Sequence, residues 1–238
     1  MSSGRAARLA GIGYLVIIVA GIFAEFVIRS GLIVPGEATA TASNISASAT
    51  LFPIGIASDL VMLTFDAIVA LALYALLKPV HQSIALTATI FRLLHTAVTG
   101  VNLLNLVIVA LLASGAGYLA VFEAEQLGAL VLTFIEAHGI GYAIGLIFFA
   151  VHVALLGYLV VKSGFIPRLL GILLLVASAG YIVDGFANVL LVNYADYELI
   201  LGLFVFVPAV IAELSFALWL LLKGAKLGQP NRTTLEPA

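Results

Sequence analysis

Six long apolar stretches dominate this chain, and eleven side chains that can carry charge lie inside them. A run of about 20 apolar residues is enough to cross the hydrocarbon core of a bilayer. Ionisable groups are costly there, and those that occur usually face the interior of a helix bundle in paired or functional roles. The sequence therefore predicts an all-α bundle of membrane-spanning helices with a polar interior.

Composition supports this fold class and excludes several functions. Hydrophobic residues make up 63% of the chain and charged residues 9%, whereas about a quarter of the residues of a soluble domain are charged. The net charge of −2 offers no basic surface for nucleic acid, so the expected partner is the lipid bilayer. Cysteine is absent, which excludes disulfides, thiolate metal sites and c-type haem attachment.

The apolar stretches give six predicted spans between a short arm and a short tail. The arm is residues 1–8, the spans are about 9–30, 51–77, 83–113, 126–161, 167–192 and 199–222, and the tail is 223–238. The first stretch exceeds the roughly 7–15 apolar residues of a signal peptide, so we expect it to be retained. Residues 31–50, rich in Ser, Thr and Ala, are predicted to form a loop. Pro53 suits the first turn of a helix, and Pro208 is expected to kink the sixth span.

Positive charges predict the orientation. If the N-terminus is inside, the inner segments hold eight basic residues and the outer loops hold none. The inner ones are Arg5, Arg8, Lys78, Lys162, Arg168, Lys223, Lys226 and Arg232. Short cytoplasmic segments are enriched in Lys and Arg, so we predict that both termini are cytoplasmic.

The intramembrane polar groups fall into two layers when depth is counted at about 1.5 Å per residue. The inner layer holds Asp66, Arg92, His95, His152 and Glu213, each roughly 13–18 Å from the inner end of its span. The outer layer holds Asp59, His138 and Asp184, with Glu136 and Asn102 at similar depth. Helical spacing also aligns them, since residues seven apart such as Asp59 and Asp66 share a face. The sequence therefore predicts two groups of candidate ligand-binding or proton-binding residues, one at each depth.

Each polar group also has a structural interpretation. Glu25 and Arg29 are four residues apart near the outer interface and can form a structural ion pair. Arg92 is expected to pair with Asp66 or Glu213. A histidine in a bundle can serve as a neutral hydrogen-bonding group between helices. For single residues both interpretations stay open.

The summed charge is harder to explain structurally. Six acids minus two arginines leave four carboxylates, and three protonated histidines would still leave one. A buried carboxylate without a partner takes up a proton instead of staying charged. The bundle must therefore hold extra protons, a cation or water, and this predicts proton-linked or cation-linked behaviour.

Motif searches exclude the common catalytic sites. The sequence has no phosphate-binding loop and no HExxH pair. His138 and His152 lie about 21 Å apart on one straight helix, so they cannot bind one metal together, and no metal site is predicted. His95 and His152 match in depth, which keeps a b-type haem as an alternative cofactor. Gly141 and Gly145 form a small-residue motif that is expected to seat another helix.

Two stretches resemble a known family. The first is Leu73-Tyr74-Ala75-Leu76-Leu77-Lys78-Pro79-Val80 with Phe91-Arg92-Leu93, and the second runs from His152 through Ser163-Gly164-Phe165-Ile166-Pro167-Arg168 to Gly180-Tyr181. They resemble the bacterial six-span family named domain of unknown function 4386. The chain departs from that pattern at Pro53, where many members carry an arginine, and near His95, where many carry an acid or amide. The resemblance implies six spans and a bacterial inner (plasma) membrane location, and it carries no established activity.

Three functions remain open. The leading hypothesis is a non-enzymatic protein with a polar pocket that binds or transports a small solute or protons. In it the carboxylates exchange protons, while Arg92 keeps one acid ionised or contacts an anionic ligand. The alternatives are a membrane-embedded enzyme acting on a lipid or isoprenoid, with His and Asp as acid and base, and a non-catalytic partner of another membrane protein.

Overall fold

The computed structural model describes residues 2–227, and every regular element in that part of the chain is helical. Six helices are long and apolar enough to cross a membrane. We call them the first to sixth spans: Ser3–Leu32, Leu51–Leu77, Gln82–Leu112, Ala124–Lys162, Arg168–Leu190 and Glu198–Leu222. The predicted all-α, six-span class is confirmed. Arg232, counted in the predicted inner tail, lies outside the described residues.

The first span is a composite helix. Its α-helix Ser3–Ile22 continues as a π-helix, Phe23–Arg29, and ends in a short α-helical turn, Ser30–Leu32. The helix begins within the predicted arm, because the long side chains of Arg5 and Arg8 can reach water while the backbone stays helical. π-Helical turns are rare and often lie at functional sites. This one carries both Glu25 and Arg29.

The segment 31–50, predicted to be a loop, contains a helix, Ala38–Ala47, that its sequence pattern does not indicate. Its Thr41 and Ile45 are buried, and it packs against the fourth span. The close approach is possible because Gly128 has no side chain; a Cβ there would lie 3.2 Å from the backbone of Ala38. Tertiary burial, rather than an apolar pattern, stabilises this helix.

The six spans form a closed ring in chain order. Each span packs against the next, and the first packs against the sixth. Short connections make neighbours antiparallel, so the segments carrying basic residues meet at one end of the bundle. We call this the basic end; it holds Arg5, Arg8, Lys78, Lys162, Arg168, Lys223 and Lys226. The opposite, acidic end holds Glu37, Glu123, Glu125, Asp196 and Glu198.

Apolar side chains cover both the inside and the outside of the ring. Large outward-facing residues such as Leu71, Val101 and Leu169 are more than half exposed, as expected of a surface in contact with lipid. Because lipid tails are as apolar as leucine, burial alone gives little drive for helix association in a membrane. Close packing of small residues must supply it instead.

Glycines provide that packing at two span interfaces. A Cβ on Gly157 would lie 2.8 Å from the Gly171 carbonyl oxygen, so the fourth and fifth spans touch through their backbones. A Cβ on Gly145 would lie 2.7 Å from Thr99 Oγ1, and one on Gly141 would overlap Asn102 Oδ1. The predicted Gly141/Gly145 motif therefore seats the third span, and it does so at two polar side chains of that span, Thr99 and Asn102.

Replacing Gly141 by alanine is expected to destabilise the bundle. The new methyl group would collide with Asn102, and overpacking of this kind typically costs about 1–3 kcal/mol. Gly139→Ala is the matched control, because nothing lies within 4 Å of a Cβ there and the gain in helix propensity is the same. The midpoint of thermal unfolding in detergent should be lower for Gly141→Ala than for Gly139→Ala, and equal midpoints would contradict this packing.

Candidate functional site

Arg92 lies at the centre of the bundle and is completely buried, with 0% of its surface exposed. Its Nη2 donates to Asp66 Oδ1 at 2.6 Å, and Thr96 Oγ1 donates to the other oxygen, Oδ2, at 2.5 Å. A buried ion pair is stable only when further hydrogen bonds satisfy its remaining atoms. Of the two predicted partners, Asp66 holds the arginine and Glu213 does not.

Two aromatic rings also contact the guanidinium. Arg92 Nη1 donates to Tyr14 Oη at 2.9 Å. Its Cζ lies 4.8 Å from the Tyr14 ring centroid and 5.3 Å from that of Phe149, within the range of cation–π attraction. Neither aromatic residue was predicted as part of the site. The available signal was the hydroxyl of Tyr14 inside the first apolar stretch, since a buried polar group needs a hydrogen-bond partner.

His152 also contacts Arg92, and both of its ring nitrogens are engaged. Nδ1 lies 2.8 Å from the Ala88 carbonyl oxygen, which only accepts, so Nδ1 carries the proton. Nε2 lies 3.0 Å from Arg92 Nη1, which only donates, so Nε2 accepts. The ring is therefore neutral in this arrangement. It has no lone pair left for an iron atom, and the geometry does not fit the haem alternative.

His95 bonds to the neighbouring helix instead of to the ion pair. Its Nδ1 donates to the Gly145 carbonyl oxygen at 3.0 Å, and its ring centroid lies 5.0 Å from that of Phe149. This contact fits the structural interpretation of a bundle histidine, in which its ring forms a hydrogen bond between two helices. Within residues 2–227 no three His, Asp or Glu side chains are grouped so that they could hold a metal ion.

Glu213 has a single, neutral hydrogen-bond partner. Tyr181 Oη donates to Glu213 Oε1 at 2.7 Å, and within the described chain no lysine or arginine forms an ion pair with this carboxyl group. The Tyr181 ring packs edge-on against Phe149, with centroids 5.4 Å apart. Glu213 is thus connected to the Arg92 environment through two aromatic rings.

Side chains from all six spans therefore meet at one level. We call this group the central cluster: Tyr14, Asp66, Arg92, Phe149, His152, Tyr181 and Glu213. It contains four of the five predicted inner-layer residues and lies roughly 15 Å from the basic end, by the rise of about 1.5 Å per residue.

A small cavity of about 10 Å³ lies beside His152, on the side of the basic end. It is lined by Leu73, Tyr74, Leu77, Ala85, Ala88, Thr89, His152, Leu156 and Leu159. That volume is close to the minimum needed for one water molecule. A larger groove, about 470 Å³, lies on the apolar surface of the first and second spans. The side chains of the central cluster pack directly against one another.

The first span contributes a second ion pair near the acidic end. Arg29 Nη1 and Nη2 donate to the two oxygens of Asp59 at 2.6 and 3.2 Å, and Arg29 Nε donates to Glu25 Oε2 at 2.7 Å. The Asp59 side chain is buried, whereas the Glu25 side chain is 58% exposed. The anticipated Glu25–Arg29 pair is present, but the buried partner of Arg29 is Asp59. This bidentate contact favours a structural role for Asp59.

The other two predicted outer-layer residues have separate partners. Asn102 Nδ2 lies 3.0 Å from His138 Nδ1 and donates to the His138 carbonyl oxygen at 2.9 Å. Tyr194 Oη donates to Asp184 Oδ1 at 2.8 Å. Burial, together with this hydrogen bond, raises the pKa of Tyr194 to about 12, so its hydroxyl keeps its proton at neutral pH. The hydrogen bonds described here do not join Asp59, His138 and Asp184 into one site.

Six apolar spans around a buried polar cluster define an α-helical integral membrane protein. Residues 9–224 match the family model described as Domain of unknown function (DUF4386), and the chain belongs to this family. A relative from Archaeoglobus fulgidus, described as an uncharacterized protein, is 33% identical over 168 residues, which cover 71% of this chain and 82% of the relative. No solved structure matches the chain. The family resemblance inferred from the sequence is confirmed.

Breaking the Arg92–Asp66 pair from either side is expected to be costly. Asp66→Asn or Arg92→Met leaves one buried charge without its partner, which typically costs about 3–5 kcal/mol. The double variant removes both charges and should lose less stability than the sum of the two single variants. Unfolding in mixed detergents measures these differences.

Glu25→Gln is the control for this cycle, because it alters an ion pair whose acid is exposed. Exposed pairs contribute about 0–1 kcal/mol, so little change is expected. Additive losses in the Asp66/Arg92 cycle would show that the two side chains are not energetically coupled.

Proposed function

We propose that this protein binds and releases a proton at Glu213, and that this exchange moves protons, or a small solute with them, across the membrane. The observation that carries the proposal is the environment of Glu213. Its carboxyl group lies inside the sixth span, accepts one hydrogen bond from Tyr181 and forms no ion pair with any described cation.

The central cluster divides its two acids into different roles. Asp66 is held as a carboxylate by Arg92 and by Thr96. Glu213 has only a neutral partner, and an ionised carboxylate in an apolar environment without a cation is unfavourable by several kcal/mol. The neutral acid is therefore the favoured form of Glu213. A group that holds a proton in one conformation can release it in another that gives it water or a cation.

The dense packing of the cluster favours protons over a large solute. The cavity beside His152 accommodates about one water molecule, and it lies between His152 and the basic end. Water can carry a proton through a passage that admits nothing larger. A solute would cross only after the spans had moved apart, as in transporters that alternate between two open states.

The alternative of a lipid-modifying enzyme receives less support. A lipid or isoprenoid in the bilayer would have to reach Asp66 and His152, which are 3% and 1% exposed. Both ring nitrogens of His152 are already hydrogen-bonded. No contact of the described residues specifically favours the third alternative, a non-catalytic partner role.

Orientation and location belong to the same proposal. The basic end carries the lysines and arginines of the connecting segments, and the positive-inside rule would place such an end in the cytoplasm. We therefore propose a multi-pass protein of a bacterial plasma membrane with both termini inside.

Proton flux into proteoliposomes tests the function. Wild-type protein should collapse an imposed pH gradient, followed with an internal pH-sensitive dye, faster than protein-free liposomes do. Glu213→Gln cannot exchange a proton and should reduce the rate to that of protein-free liposomes. Glu136→Gln is the matched control, because Glu136 is an exposed acid on the fourth span. Equal rates for wild type and Glu213→Gln would contradict the proposal.

Cysteine labelling tests the orientation, and the chain is suited to it because it has no cysteine of its own. Ser83 and Ser114 are exposed and flank the third span at its two ends. In intact cells a membrane-impermeant maleimide should label Ser114→Cys and leave Ser83→Cys unlabelled until the membrane is permeabilised. The reverse pattern would show that the basic end faces outward.

A further inference from the structure

Two groups of the central cluster, the buried Arg92 and the half-buried Glu213, each lack a partner that the other could supply. A guanidinium has five N–H donors, and in Arg92 Nη1 contacts Tyr14 and His152 while Nη2 contacts Asp66. Its Nε–H is buried and hydrogen-bonds no atom within residues 2–227. Glu213, in turn, is an acid without a cation. Buried polar groups are satisfied in most native structures, so this coincidence needs an explanation.

Phe149 contacts Arg92 and also the tyrosine that bonds to Glu213. The Arg92 Cζ is 5.3 Å from its ring centroid. The ring of Tyr181, the hydrogen-bond donor to Glu213, packs edge-on against the same ring at 5.4 Å. Phe149 is buried and also packs against the rings of His95 and His152. The ring of Phe149 therefore packs against both the arginine and the hydrogen-bond donor of the second carboxyl group.

We infer that Phe149 is a positioning residue that keeps Arg92 on Asp66 while Glu213 is protonated. When Glu213 loses its proton, the ring of Phe149 turns aside and Glu213 becomes a second partner of Arg92. This inference rests on the proposed proton exchange at Glu213 and adds its structural consequence. The proton passes to water, and the carboxylate left behind accepts the Nε–H bond of Arg92. When the proton returns, neutral Glu213 no longer competes with Asp66.

Electrostatic attraction explains why an ionised Glu213 would pair with Arg92. Attraction between opposite charges is strong where the dielectric constant is low, so an ionised Glu213 is drawn to the nearest cation. The charged and titratable groups around Glu213 are Tyr14, Tyr142, Tyr181, Asp66 and Arg92, one from each of the other five spans. Three of them are neutral tyrosines and one is a competing acid. Among these groups only Arg92 can neutralise it.

The exchange would change which spans are tied together. Asp66 belongs to the second span and Glu213 to the sixth, and these flank the first span on opposite sides of the ring. Arg92, on the third span, is paired with an acid of the second span in one state and with acids of both the second and the sixth spans in the other. A single proton would thereby alter the packing of the whole bundle, as coupling to a solute requires.

Nitrogen NMR of the full-length protein in liposomes tests the partner change directly. With ¹⁵N-labelled arginine, the Arg92 Nε signal is assigned by its loss in Arg92→Lys. Infrared spectroscopy of the same samples follows the carboxyl band of protonated Glu213, which is assigned by its absence in Glu213→Gln. In the wild type the Nε signal should shift over the pH range in which this band disappears, and in Glu213→Gln it should not shift. A wild-type Nε signal that stays constant over that range would overturn the inference.

Variants of Phe149 test its positioning role. Phe149→Ala should lose the protonated-carboxyl band at a pH at which the wild type retains it, because Arg92 becomes accessible to Glu213. Phe149→Leu keeps an apolar side chain in place and should retain the band. If Phe149→Ala does not fold, the wild-type Nε measurement still tests whether Arg92 gains Glu213 as a partner. Retention of the band in a folded Phe149→Ala protein would overturn the role of the ring.

The inference and the proposed function fail in different ways. If Glu213→Gln abolishes proton flux while the Nε signal of the wild type never shifts, Glu213 exchanges protons without engaging Arg92. If Glu213→Gln leaves flux unchanged, the proposed function itself is wrong.

Discussion

The ion pair between Arg92 and Asp66 is the interaction around which the rest of the bundle is arranged. An arginine cannot shed its charge, so a protein that buries one inside a membrane must replace its water shell with its own groups. Here Asp66, Tyr14, His152 and the ring of Phe149 do so. These four side chains come from three spans besides that of Arg92 itself. Satisfying one cation therefore determines how four helices are rotated relative to one another.

The second span is attached to both of its neighbours in this way. Asp59 and Asp66 lie two turns apart on one face, and each binds an arginine from a different helix. Arg29 holds Asp59 from the first span near the acidic end, while Arg92 holds Asp66 from the third span at the centre. These two pairs neutralise two of the intramembrane acids. The excess negative charge is thereby left to the remaining acids, and of these Glu213 belongs to the central cluster.

Most of the fold could be predicted from sequence, and the site only in part. Span number and depth follow from the length of the apolar runs and the rise of a helix, which are local properties. The common level of Asp66, Arg92, His152 and Glu213 was predictable for the same reason. The helix Ala38–Ala47 was missed, because its sequence has no apolar periodicity and its stability comes from packing on the fourth span.

The sequence by itself determined a six-span membrane bundle, an acid excess inside it and the depth of each charged group. Only the tertiary structure decided which groups meet. Asp184 and His138 share a depth but bond to Tyr194 and Asn102, and Arg92 bonds to Asp66 in preference to Glu213. Depth depends on position along one helix, whereas a partner depends on the rotation and spacing of two. Rotation and spacing are set by contacts between helices, such as that of Gly145 with Thr99, and no single stretch of sequence contains both partners.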